Sequence, residues 1–135
     1  MSCAPFELAV RVYMEDTDTG GIVYYVNYLK YLERARTELM RSLGYGKEFI
    51  CNFDLMFVVR DVAVHYRRPA RLDDQLVATA QLAELHGASM VFRQEVRRGS
   101  NVLADGEVRV ACVDRDGVKP RRIPAALLAS LRALI

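Results

Sequence analysis

Polar and apolar residues alternate in the first stretch of the chain. Leu8, Val10 and Val12 fall on one face of an extended segment, which predicts a strand over Phe6 to Met14. From about Tyr24 to Gly44 the period becomes helical. Tyr28, Leu32, Ala35, Leu39 and Leu43 recur at steps of three and four, while Lys30, Glu33, Arg34, Glu38 and Arg41 lie mostly elsewhere on the wheel. Within that helix Arg34 and Glu38 stand at i,i+4 and Glu33 and Arg36 at i,i+3, spacings that predict exposed ion pairs. Gly44 suits the helix stop. Asn52 to Asp54 reads as a loop. Four long strand-like runs follow, Leu55 to Tyr66, Gln75 to Leu85, Ser89 to Arg97 and Val102 to Asp114. They are separated by Arg68-Pro69, His86-Gly87 and Gly99-Ser100-Asn101, the last two being hairpin signals. Asp116-Gly117 is a further turn, and Pro124 opens a short apolar helix from Ala125 to Leu134.

The order is therefore one strand, a long helix, four strands and a short helix. Consecutive long strands with short turns pair antiparallel. The long helix has an apolar stripe to bury, and a sheet offers one face for it. The expected class is α+β: a curved antiparallel sheet wrapped around one long central helix, in a single domain over 1–135. Strict alternation in the second strand would turn Val59, Ala63 and His65 away from Val58, Val62 and Val64. Apolar residues on both faces predict cover by another protomer, hence at least a dimer.

Composition sharpens the picture by exclusion. The 135 residues are 52% hydrophobic, enough for one core. A formal net charge of +2 argues against nucleic acid as a partner. The positive charge is clustered at Arg67-Arg68, Arg97-Arg98 and Lys119 to Arg122, which reads as solvated strand ends and turns or as a dock for a phosphorylated small molecule. Cys3, Cys51 and Cys112 are far apart and odd in number, so neither a disulfide framework nor a zinc site is expected, and a reducing cytoplasm fits best. Met1 to Pro5 lack a basic start and an apolar run, so no signal peptide is expected. No apolar run approaches the roughly 18 residues that span a membrane.

The segment Tyr13 to Tyr25 carries the chemistry. Carboxylates and a glycine pair run straight into the helix, which places acid groups beside the free N–H groups of its first turn. Such a start can hold a carbonyl oxygen as it gains negative charge, and a nearby carboxylate can attack that carbonyl or activate water. Asp18 is the candidate catalytic group; its bland alternative is an Asx turn or helix cap. Asp16 could cap the helix or partner Asp18, and Thr17 and Thr19 could satisfy loop N–H groups. Gly20 and Gly21 permit positive φ and close backbone approach to a ligand, or form an ordinary tight turn. Tyr24, Tyr25, Tyr28 and Tyr31 group at the helix start, with Tyr28 and Tyr31 read as core and the Tyr25 N–H as the oxyanion donor. His65 and His86 have no ligand-like spacing and are read as structural, and no serine lies in a G-x-S-x-G elbow.

The run Tyr13-x-x-Asp16-Thr17-Asp18-Thr19-Gly20-Gly21-Ile22-Val23-Tyr24, followed by Asn27-Tyr28, resembles the signature of the 4-hydroxybenzoyl-CoA thioesterase family. The stretches from Tyr31 to Glu38, Phe57 to Arg60 and Pro69 to Asp74 resemble the branch associated with the Tol-Pal cell-envelope system, and the similarity covers about residues 6 to 125. The resemblance implies a hotdog fold, homodimers that pair into homotetramers, and active sites at the protomer interface. It implies hydrolysis of acyl-CoA to a free acid and CoA, with no metal and no cofactor, CoA being part of the substrate. The family's catalytic aspartate falls on Asp18, its carbonyl-binding amide on Tyr25, and its pantetheine-contacting strand on Phe57, Val58 and Val59. Two departures stand out. Tyr25 occupies a place that is often His in this branch. The His86-Gly87-Ala88 turn lacks the basic residues some members carry, which leaves the CoA phosphates to Arg67, Arg68 or the Lys119 to Arg122 cluster. A hotdog hydratase or dehydratase and a non-catalytic acyl-CoA-binding or envelope scaffold protein are the competing functions.

Overall fold

The computed structural model describes residues 4–46 and 54–135. Five strands form one antiparallel sheet: β1 (Phe6–Arg11), β2 (Leu55–Tyr66), β3 (Gln75–Leu85), β4 (Ser89–Arg98) and β5 (Asn101–Asp114), in the order β1-β3-β4-β5-β2. Helix α1 (Tyr25–Ser42) crosses one face and packs on β3, β1 and β4, and α2 (Ala125–Arg132) packs against β3. This is the expected hotdog arrangement. β1 is shorter than the alternation suggests, because the chain leaves the sheet after Arg11 and makes a 3-10 turn over Met14–Asp16. Of the loop expected over Asn52 to Asp54, Asn52 and Phe53 lie outside the described residues.

The helix buries the stripe its periodicity marks. Tyr28, Leu32, Ala35 and Leu39 are buried, joined by Asn27 and Tyr31. It ends where Gly44 adopts φ 89°, with the Gly44 N–H donating to the Arg41 carbonyl and the Tyr45 N–H to that of Met40, a Schellman closure. The expected ion pairs are not the ones formed. Glu38 pairs with Arg41, Arg34 lies 5.8 Å over the Tyr31 ring, and the Arg36 guanidinium turns inward to a buried amide.

The face assignment in β2 also departs from simple alternation. A bulge at Arg60 shifts the register between Val59 and Asp61. Val59 pairs with Val110, Val62 with Val108 and Val64 with Gly106, which places all three on the helix-facing side of the sheet. Val58 instead joins Ala63 and His65 on the outer side. One extra residue reverses the parity of everything beyond it. β2 is an edge strand, and its helix-side residues extend past the edge of α1. Val59 is 48% and Val62 43% exposed.

Close strand approach fixes Gly106. A Cβ there would lie 2.1 Å from the Ala63 carbonyl oxygen, inside any tolerable contact. Gly106→Ala is expected to lower unfolding free energy by at least about 2 kcal/mol, since β2 must be pushed off β5. Gly46→Ala, with nothing within 4 Å of the new methyl, is the control and should shift it by less than about 1 kcal/mol in chemical denaturation.

Candidate active site at the start of the central helix

The loop from Tyr13 to Tyr24 is held from below by one carboxylate. Asp16 is buried, and its two oxygens accept from the Tyr13 N–H (2.8 Å) and the Asn27 side-chain amide (2.8 Å). Its own carbonyl accepts from the Tyr24 N–H at 2.9 Å, the residue that caps α1. Asp16 thus ties the strand exit, the loop and the helix entry together, and does not bond to Asp18. Tyr31 lies fully buried beneath the same group. Among the described residues no acceptor meets its hydroxyl in good geometry, yet burial first, and the neighbouring Asp16 carboxylate second, push its pKa well above the usual phenol range, so it stays protonated.

The Pro69 to Asp74 segment holds the loop from the side. The Val23 N–H donates to the Ala70 carbonyl at 2.8 Å, Ile22 bridges to Arg71, and the Ala70 N–H donates to the buried Tyr28 hydroxyl at 2.9 Å. Asp74 closes that segment by accepting from the Arg71 N–H (2.8 Å) and the Arg98 guanidinium (2.6 Å). Asn27, the Tyr28 hydroxyl and Asp74 are the supporting groups that sequence reasoning missed. Asn27 could have been noticed as a polar residue next to the helix's apolar stripe.

Within this frame Asp18 is solvent-exposed in the single chain. Its N–H donates to the Ile22 carbonyl (2.9 Å), its carbonyl accepts from Gly21 (3.1 Å), and its Oδ1 accepts from the Gly20 N–H at 2.8 Å. This is an Asx turn, and it orients the carboxylate. Only one of the two glycines has positive φ: Gly21 at 80°. Gly20 serves differently, because a Cβ there would crowd Asp18 Oδ1 at 3.3 Å. Thr17 donates to the Met14 carbonyl at 2.8 Å instead of accepting from a loop N–H.

Tyr25 is the first residue of α1, so its N–H has no acceptor one turn back in the helix. Its ring is 59% exposed and stands edge-on to Tyr66, whose hydroxyl donates to the Tyr25 carbonyl at 3.1 Å. The Tyr24 ring lies tilted against that of Tyr25, with centroids 4.9 Å apart. Together with these rings, Val59 and Val62 farther along the strand are exposed, so the unpaired edge of β2 carries a long apolar ledge. Tyr28 and Tyr31 are core, as their spacing implies.

Phe57, Val58 and Val59 are not near Asp18 within one chain. They line a cavity of about 720 Å³ between the second half of α1 and the start of β2. Tyr66, which marks the Tyr25 end of the strand, is about 23–30 Å farther along β2 at about 3.3 Å per residue. Most of the residues in the basic clusters already have partners. Arg67 pairs with Asp105, Arg68 donates to Asn101, Arg97 pairs with Glu7, and Arg98 with Asp74. Arg122 instead lies over the β3–β4 turn, its guanidinium 3.6 Å from where a Gly87 Cβ would be. His86 sits on Glu84, and no group of metal-ligating side chains occurs among the described residues.

Replacing Asp16 with Ala orphans two donors at once, one of them a backbone N–H. The expected loss is about 2–4 kcal/mol of unfolding free energy, with Asp16→Asn recovering part of it in the same denaturation series.

The Thioesterase superfamily model matches residues 20–104, the span from the glycine pair through most of the sheet. The acyl-CoA thioester hydrolase YbgC of Escherichia coli O6:H1 is 40% identical over 133 residues, covering 98% of this chain and 99% of that protein. The acyl-CoA thioesterase YbgC of Haemophilus influenzae is 40% identical over 130 residues, with 96% of both chains covered. In three dimensions, a probable thioesterase from Bartonella henselae superposes with a TM-score of 0.86 at 33% identity, over 90% of this chain and all of that one. The loop, the helix start and the sheet that holds them thus belong together in one known design, and the chain is a member of the thioesterase superfamily.

Proposed function

We propose that this protein is an acyl-CoA thioester hydrolase whose active site is completed by a second copy of the chain. The observation that carries the reading is the Asp18 carboxylate, fixed by its Asx turn in the loop that runs directly into the first turn of α1. The thioester carbonyl oxygen lies against the Tyr25 N–H, where the helix start stabilises the developing oxyanion; one such donor is worth roughly 3 kcal/mol. Asp18 either attacks the carbonyl carbon, expelling CoA thiolate and leaving a mixed anhydride for water to open, or takes a proton from the water that attacks. Both routes yield the free acid and CoA. A thiolate leaves readily, so no strong general acid is required. The near-full-length YbgC relatives, named for acyl-CoA thioester hydrolysis, support the substrate class.

The second copy accounts for the two separated halves. Antiparallel pairing of two β2 edges about an axis near Asp61 and Val62 sets the Tyr66 end of one strand opposite the Phe57 end of the other. Asp18 and Tyr25 of one chain then face Phe57, Val58 and Val59 of its partner, and the exposed Val59, Val62 and tyrosine ledge is covered. The assembly is a dimer, or a tetramer of two such pairs, in a reducing cytoplasm where Cys112 stays a free thiol. Arg122, over the β3–β4 turn, serves the CoA phosphates together with Lys119 of the same basic cluster.

Asp18→Asn is expected to lower kcat on acyl-CoA by about 10²–10⁴-fold, followed by thiol release, with substrate affinity changed little. A folded Asp18→Asn protein of near-normal turnover would refute the role, and conversion without free thiol would point to hydratase chemistry. Val62→Glu places a charge on the edge ledge at a position already 43% exposed. It should fold, sediment as a monomer and lose turnover together with assembly; an active monomer would contradict the shared site.

A further inference from the structure

The cavity beside β2 is apolar over most of its wall, formed by Met40, Phe57, Val59, Met90, Phe92 and Val110. One charged group on that wall is built into the core. The Arg36 guanidinium donates from Nη1 to the Gln94 Oε1 at 2.9 Å. Gln94 is completely buried, and its Nε2 is fully committed, donating to the Leu32 carbonyl at 3.0 Å and the Thr79 carbonyl at 2.9 Å. The amide is locked between helix and sheet, so its oxygen can face only Arg36, and Arg36 is held at the cavity wall. Arginine stays charged there, although burial depresses its pKa.

Among the described residues the remaining charges on the cavity wall are accounted for. Arg41 pairs with Glu38, and Arg115 stands 3.7 Å from Asp54. Glu33, exposed on the same helix, acts on Arg36 only through the field and makes no ion pair with it. Among the described residues no carboxylate reaches Arg36 within 4.0 Å. A desolvated guanidinium fixed through one nitrogen keeps open donors, and the group that matches them is a carboxylate taken two-pronged. A purely aliphatic acyl chain would leave that half-buried cation without a carboxylate in hydrogen-bonding reach.

Building on the acyl-CoA hydrolase reading, we propose that Arg36 is a specificity residue and that the preferred acyl group carries a carboxylate at its far end. The thioester end meets the partner's helix start, and the distal carboxylate seats on the guanidinium that Gln94 positions.

The test compares succinyl-, glutaryl-, adipyl- and suberyl-CoA with alkanoyl-CoA esters of matching chain length. For at least one length, the wild-type chain should favour the carboxylated ester by about tenfold or more in kcat/KM. Arg36→Met should reduce that ratio by about tenfold or more, and Arg36→Lys, which keeps the charge without the fork, by less. A role confined to satisfying Gln94 predicts lower stability in Arg36→Met with no change in the ratio. Affinities of the same esters for the Asp18→Asn protein, with and without Arg36→Met, are measured by calorimetry. They test the carboxylate preference independently of turnover: a chain that hydrolyses no ester loses the function reading, while the affinity ratio still decides this one. An alkanoyl preference at every length, or a ratio unmoved by Arg36→Met, overturns the proposal.

Discussion

The site depends on one buried carboxylate that takes no part in the proposed chemistry. Asp16 collects a backbone N–H from the strand exit and an amide from the helix, while its own carbonyl receives the N–H of the helix cap. Remove it, and the exit of β1, the Asx turn and the first turn of α1 lose their common anchor. A charge this buried is tolerated because donors surround it. The cost of burying it is offset by the order it imposes on the loop above. The exposed Asp18 can then be oriented by short-range bonds alone, since the platform beneath it does not move.

The clamp extends outward through groups of lower charge. Ala70 meets both Val23 and the Tyr28 hydroxyl, and the segment that carries it is closed by Asp74 between Arg71 and Arg98. The stretch from Pro69 to Asp74, which supported the family likeness, therefore works as the lateral wall of the loop. At the other end of α1 the same pattern recurs: a buried polar side chain, Gln94, positions a charged one, Arg36. Both ends of the helix rely on an interior hydrogen-bonding group to set a residue nearer the surface.

Much of this was legible in the residues. The helical stripe, the four long strands with their turns, and the aspartate–glycine segment were local patterns, and local patterns survive in one dimension. Asp18 and Tyr25 fall where the spacing puts them, at the turn and at the first helical position. What the chain order hides is pairing across distance. Arg36 meets Gln94, and Glu38 prefers Arg41 to Arg34, because tertiary burial decides where guanidinium groups turn. Phe57, Val58 and Val59 came only from family likeness, and in a single chain they lie far along β2 from the acid they are meant to serve. Asp16 as the anchor was invisible for the same reason: its partner Asn27 is eleven positions away, on a different element.

The bulge at Arg60 carries a consequence for how such chains diverge. It assigns Val59 and Val62 to the same face although three positions separate them, which a regular strand forbids. No exchange of one amino acid for another creates or abolishes that offset; only gaining or losing a residue does. The bulge therefore absorbs one residue of chain length while the faces on either side of it stay as they would be in a strand one residue shorter. Deleting Arg60 alone would run Val59 straight into Asp61 with every partner on β5 unchanged, so Val62 and Val64 would keep the helix side; closing the bulge with Arg60 retained would instead turn them outward and bring Ala63 and His65 in.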